Sequence, residues 1–81
     1  MTRQIAIYVF PNVEVLDFAG PYEVFTTASR VMQRQQPDAA PPFRVCTVAR
    51  TREPVTARAG LRVLPVFGFD DCPPPDVLVV P

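Results

Sequence analysis

Histidine and lysine are absent from this chain, and cysteine occurs only as Cys46 and Cys72. With no histidine, and with the two cysteines outside any C-x-x-C spacing, the sequence offers almost no ligands for a metal ion. No metal and no cofactor is expected. Every basic residue is an arginine; the eight of them balance eight acids and are scattered from Arg3 to Arg62 instead of forming a block. That leaves no electrostatic footprint for nucleic acid or an anionic membrane surface. No apolar run approaches the ~20 residues that span a bilayer. The opening "MTRQIAIYVF" runs straight into a strand-like segment, without a cleavable signal. A cytoplasmic protein is expected. Length also limits what is on offer: 81 residues make one small domain or a piece of a larger one, and a chain of this size buries only about 60–65% of the surface its unfolded form exposes.

What is present is strongly patterned. "IAIYVF" (Ile5 to Phe10) is a near-continuous β-branched and aromatic run closed by Pro11-Asn12, as in a strand covered on both faces. From Val13 the period turns helical. Val24, Ala28 and Val31, with Phe25 and Met32 alongside, predict a helix over about residues 21–33 packed through that stripe, with Arg30, Gln33 and Arg34 in water. "RQQPDAAPP" reads as a surface connection. "FRVCTVA" (Phe43 to Ala49) is a second strand, and Cys46 within it reads as a buried small hydrophobe. The like charge of Asp70 and Asp71 argues against an activated thiol at Cys72.

Strand, helix and strand in that order predict a βαβ unit with parallel strands. "PVTARAGLRVLP" predicts a hairpin or strand and turn, its Arg58 and Arg62 on a solvated face. "FDDCPPPD" is a turn that three prolines keep from becoming a helix, and "VLVVP" (Val77 to Pro81) is a further buried strand. The fold class expected is α/β with a mostly parallel sheet. Such a sheet needs helices on both faces, whereas one substantial helix is on offer, so residues 1–81 are expected to be the N-terminal portion of a larger domain. One sheet face should then be bare, through Ile5, Ile7 and Val9 or through Ala6, Tyr8 and Phe10.

One residue stands out as a candidate site. In "VEVLDFAGPYEVF", Asp17 lies among Val13, Val15, Leu16 and Phe18, and a carboxylate is costly in apolar surroundings unless paired. The local reading makes it a partner of backbone N–H groups at a helix start, with Gly20 as N-cap, Pro21 at N1 and Glu23 at N3. The other reading has Asn12 cap a helix that begins near Val13 and continues through Pro21 with a kink. Asp17 then sits in the first turns, near the carboxyl end of the first strand, pointing to the crevice where α/β proteins bind ligands.

The succession "IAIYVFPNVEVLDFAGPYEVF", "PVTARAGLRVLP" and "PDVLVVP" resembles the ThiJ/PfpI family, within the class I glutamine amidotransferase-like fold. The similarity runs over the whole chain but covers less than half of a family domain. Within the family, "LDFAGPYEVF" is similar to the isonitrile hydratase-like members and to the sensor domains of AraC-type transcription regulators. The resemblance implies a flavodoxin-like three-layer sandwich whose nucleophilic cysteine stands on a strand-to-helix elbow downstream of Pro81. It also implies an acid after the first strand that exchanges a proton with that cysteine, matched here by Asp17. In an intact site that carboxyl would be buried beside the thiol. Neither Cys46 nor Cys72 matches the nucleophile.

Two functions from different classes follow from the resemblance. One is a cysteine-dependent hydratase or hydrolase, with Asp17 as acid/base partner and a small molecule as substrate. The other is a ligand-sensing domain of an AraC-type regulator, with DNA contacts made elsewhere than in this segment. A homodimer is implied when the domain is intact. Gly20 would allow close backbone approach and Pro21 would fix the helix direction, both as packing features.

Overall fold

The computed structural model describes residues 1–81. The elements run β1 (Arg3–Tyr8), α1 (Val15–Gln35), β2 (Phe43–Ala49), β3 (Val55–Thr56), a 3-10 turn (Arg58–Gly60), β4 (Arg62–Val63), β5 (Phe67–Gly68) and β6 (Val77–Val79). β1, β2, β5 and β6 form a four-stranded sheet in the order β5-β2-β1-β6, with every neighbouring pair parallel. The expected βαβ unit and the parallel last strand are therefore found, but β6 lies exposed at the sheet edge instead of buried. β3 and β4 pair antiparallel, Val55 opposite Val63, which is the hairpin read from "PVTARAGLRVLP".

Register sorts the side chains into two faces. Ile5 and Ile7 lie level with Val45 and Thr47 on one side and with Val77 and Val79 on the other. Alternation then puts Ala6, Cys46 and Leu78 in a row on the opposite face. α1 covers the first face. Phe18 is buried there, and the Phe25 ring meets the Phe43 ring edge-on at 5.0 Å between centroids. Ser29 fastens the helix to the start of β2: its Oγ donates to the Phe43 carbonyl at 2.9 Å and accepts from the Phe43 N–H at 3.2 Å. Ile5, Ile7, Val9 and Val13 are sealed in this layer.

The structure corrects three expectations. α1 begins at Val15, not near residue 21, and runs through Pro21, as in the second reading of the Asp17 segment. Gly20 and Glu23 are thus interior positions, and Glu23 pairs with Arg30 at 3.0 Å in place of a cap. Of the expected stripe Val24, Phe25, Ala28 and Val31, Phe25 packs on the sheet but the line through Val24 and Val31 does not. Val24 is 66% exposed and Val31 43%, whereas Phe18, Phe25 and Ser29, at i, i+7 and i+11, face the sheet. The hydrophobic pattern carried two stripes, and the sheet took the one holding the larger rings. The second sheet face is bare only in part: Ala6 is 1% exposed and the Tyr8 ring meets those of Phe10 and Phe69 at a tilt, at 5.0 and 5.5 Å, whereas Leu78 and Phe69 are each 55% exposed.

β5 has no counterpart in the sequence reading. Two residues are too short to show a period, and Gly68 is there for a steric reason. A Cβ on it would stand 3.2 Å from the Thr51 Cα, tighter than an ordinary contact, so glycine eases the approach of this strand to the chain leaving β2.

Candidate functional site

The strand order gives the sheet a switch point. β2 and β5 lie on one side of β1, and β6 returns on the other. In open α/β sheets ligands occupy the crevice beyond the carboxyl ends of the strands at such a point. The segment leaving β1 is held tightly. Asn12 has φ 68°, a left-handed conformation that asparagine tolerates better than branched residues. Its N–H donates to the Thr56 carbonyl at 2.9 Å, the Val13 N–H donates to the Phe10 carbonyl at 3.0 Å, and the Arg58 N–H donates to the Val13 carbonyl at 3.0 Å. The hairpin β3–β4 therefore clamps the β1–α1 turn through backbone bonds. An exposed ion pair, Arg58 Nη1 to Glu14 Oε1 at 3.3 Å, sits over the clamp.

Asp17 emerges directly from this clamped turn. It is the third residue of α1, beside the positive end of the helix dipole, and its own N–H donates to the Glu14 carbonyl at 3.1 Å. Its side chain is exposed. Leu16 beside it is exposed too, while Val13 and Phe18 turn inwards. The apolar surroundings suggested by the linear sequence are therefore split between two sides of the helix, and Asp17 is on the wet side. The cap arrangement with Gly20 and Pro21 does not occur. No side chain caps α1: the N-cap residue is Glu14, which makes no side-chain cap bond. Asn12 instead shapes the turn two residues earlier. Pro21 has no N–H to give the Asp17 carbonyl, which leaves that oxygen without its usual helical donor.

A cavity of about 430 Å³ opens at the carboxyl ends of β1 and β2, between Tyr8, Phe10, Arg50, Glu53 and Thr56. Asp17 is not in its wall, and neither cysteine reaches it. The chain thus holds an acid and a crevice but brings no thiol to either. Cys46 and Cys72 meet instead on the second sheet face. There, burial first, then the charge and hydrogen bonding of the Cys72 thiol, push the Cys46 thiol up to about 11. Cys46, read from the sequence as a buried small hydrophobe, is half-buried instead of sealed. Its neighbour was not foreseen: residues 46 and 72 are far apart in sequence, and only the pairing of β5 with β2 brings them together.

Isonitrile hydratase from Pseudomonas putida is 36% identical over all 81 residues of this chain, which span 30% of that enzyme's length. A ThiJ/PfpI family protein from Pseudomonas syringae, known from a crystal structure, superposes on the whole chain with a TM-score of 0.77 at 30% identity, 29% of it being covered. Over its whole length the chain is similar to ThiJ/PfpI-type proteins, of which it spans about 30%. A crystal structure of a protein assigned as a transcriptional regulator, from Vibrio parahaemolyticus, matches 99% of the chain and 39% of its own length with a TM-score of 0.74; at 15% identity it bears on the fold alone. No family model matches. What the chain shares with these structures is the mixed α/β fold with a mostly parallel central sheet. No helix is long and apolar enough to cross a membrane.

Proposed function

We propose that residues 1–81 form the first portion of a ThiJ/PfpI domain that acts as a cysteine-dependent hydratase of the isonitrile hydratase type, and that Asp17 is the acid/base partner of a cysteine lying outside this sequence. The observation that carries the reading is the setting of Asp17. Its carboxylate has no hydrogen-bond or ion-pair partner within the chain, yet the turn that presents it is fixed by three backbone bonds. An unpaired acid on a rigid mount suits a group whose partner is still to arrive. Heptad spacing also places Asp17 in line with the exposed Val24 and Val31, so the acid stands at the head of an apolar stripe that a further part of the domain would cover.

The chemistry divides simply. A thiolate adds to the terminal carbon of an isonitrile, that carbon takes up a proton, and water then displaces the sulfur to leave an N-substituted formamide. Asp17 would supply and recover the proton, a role worth about 10²–10⁴-fold in rate. Covered by the thiol-bearing segment, the carboxyl would lose solvent, and desolvation favours its protonated form. The small-molecule substrate and a homodimeric assembly belong to the same proposal. The test is a chimera in which this chain replaces the corresponding segment of the Pseudomonas putida enzyme, assayed with an isonitrile beside the 81-residue chain alone. Turnover in the chimera and none in the chain supports the reading. A folded chimera that binds the isonitrile without turning it over would favour a ligand-sensing role instead.

A further inference from the structure

The two cysteines line neighbouring cavities on the sheet face opposite α1. Cys46 is in the middle of β2, level with Ala6 of β1. Cys72 follows a turn anchored to the same sheet: the N–H groups of Asp71 and Cys72 both reach the Gly68 carbonyl, at 3.3 and 3.1 Å, and the Gly68 N–H donates to Asp71 Oδ1 at 2.8 Å. Gly68 is itself level with Ala49, three residues beyond Cys46 on β2. Two adjoining cavities record the result. One has Cys46 and Pro75 in its wall, the other Cys72 and Pro75, and Ala6 lines both. The Cys72 thiol donates to the Pro73 carbonyl at 3.3 Å, and Pro73 to Pro75 stiffen the chain that follows.

We propose that Cys46 and Cys72 are a dithiol modification site that a peroxide or a low-molecular-weight disulfide converts to an intramolecular disulfide, pinning the segment before β6 to β2. Both sulfurs are half-buried, so a small oxidant has access while a second protein has little. With hydrogen peroxide the Cys72 sulfur displaces hydroxide from the O–O bond, and its proton completes one water. The Cys46 sulfur then attacks the Cys72 sulfenic acid, forms the S–S bond and releases the second water. Two thiols are oxidised by two electrons, and one peroxide is reduced to two waters. The same balance holds whichever of the two sulfurs attacks the peroxide first.

The test treats the purified full chain with equimolar hydrogen peroxide, quenches it with an alkylating agent and digests it with trypsin. The expected product is a single linked pair, the peptide Val45–Arg50 joined to Val63–Pro81. The intact chain should be two hydrogens lighter, and its melting point should rise by several degrees and fall back with reductant. Closure in urea should be at least about tenfold slower, because only the fold holds the sulfurs together. Cys46→Ser should give no internal link and a Cys72 that proceeds to sulfinic acid or to dimers. Wild-type chain that yields only those products, or that links equally fast in urea, would overturn the proposal.

Discussion

The N–H of Arg58 donates to the carbonyl of Val13 across 3.0 Å, joining the tip of the β3–β4 hairpin to the turn that leads into α1. With the Asn12 to Thr56 bond it makes the hairpin a brace for the turn that presents Asp17. The brace is made of backbone, and so its side chains are expected to matter little.

Arg58→Ala removes only an exposed ion pair with Glu14, a contact worth about 0–1 kcal/mol. Arg58→Pro removes the donor itself and should cost about 1–3 kcal/mol, because the Val13 carbonyl loses its partner beside the buried Val13 side chain. Urea unfolding of the two variants should separate them clearly. Equal losses would place the strength of the brace in the side chain.

Ser29→Ala removes both hydrogen bonds that tie α1 to Phe43 and leaves the Phe43 N–H unpaired at the start of β2. A loss of about 1–3 kcal/mol is expected in chemical denaturation. Amide exchange at Phe43 should rise by a larger factor than exchange at Val48, which lies at the far end of the strand.

The close approach expected at Gly20 is not found within the chain: a Cβ there meets nothing within 4 Å. Gly20→Ala should therefore raise stability by about 0.5–1 kcal/mol, the ordinary gain from replacing glycine inside a helix. If another part of the domain packs over this side of α1, the same substitution in the chimera should instead lower stability. Thermal melts of the two proteins read the difference in sign.

Cys46 links stability to alkaline pH. Its thiol is raised from an ordinary 9.0 to about 11 by burial and by Cys72, so between those values the unfolded chain has released a proton that the folded chain still holds. The stabilisation is whole below about 9 and is lost as pH rises through 11. The denaturation midpoint of the reduced chain should fall across that window, and Cys46→Ala should flatten the fall.

Much of the fold was legible because its longer strands carry their own signal. The runs around Ile5 and Val45 predict parallel strands, and their observed bounds differ from the reading by no more than two residues. α1 was legible in kind but not in orientation. Val24, Ala28 and Val31 satisfy helical spacing as well as Phe18, Phe25 and Ser29 do, and only the sheet's own contour decides which stripe it accepts. Its start was left open by Gly20-Pro21, which reads either as a boundary or as an interior step, and the second reading is the one found. The left-handed Asn12 had a signal in Pro11-Asn12, whereas the meeting of Cys46 with Cys72 had none, since it depends on a two-residue strand.

The central claim is that Asp17 exchanges a proton with a thiol. The most direct measurement is isonitrile turnover by the chimera with and without Asp17→Asn, each protein checked for an unchanged melting point. Asparagine keeps the shape and cannot give up a proton, so turnover should fall by about 100-fold or more with the fold intact. Turnover within twofold of the unsubstituted chimera would contradict the account and leave Asp17 as a solvated residue in the first turn of a helix.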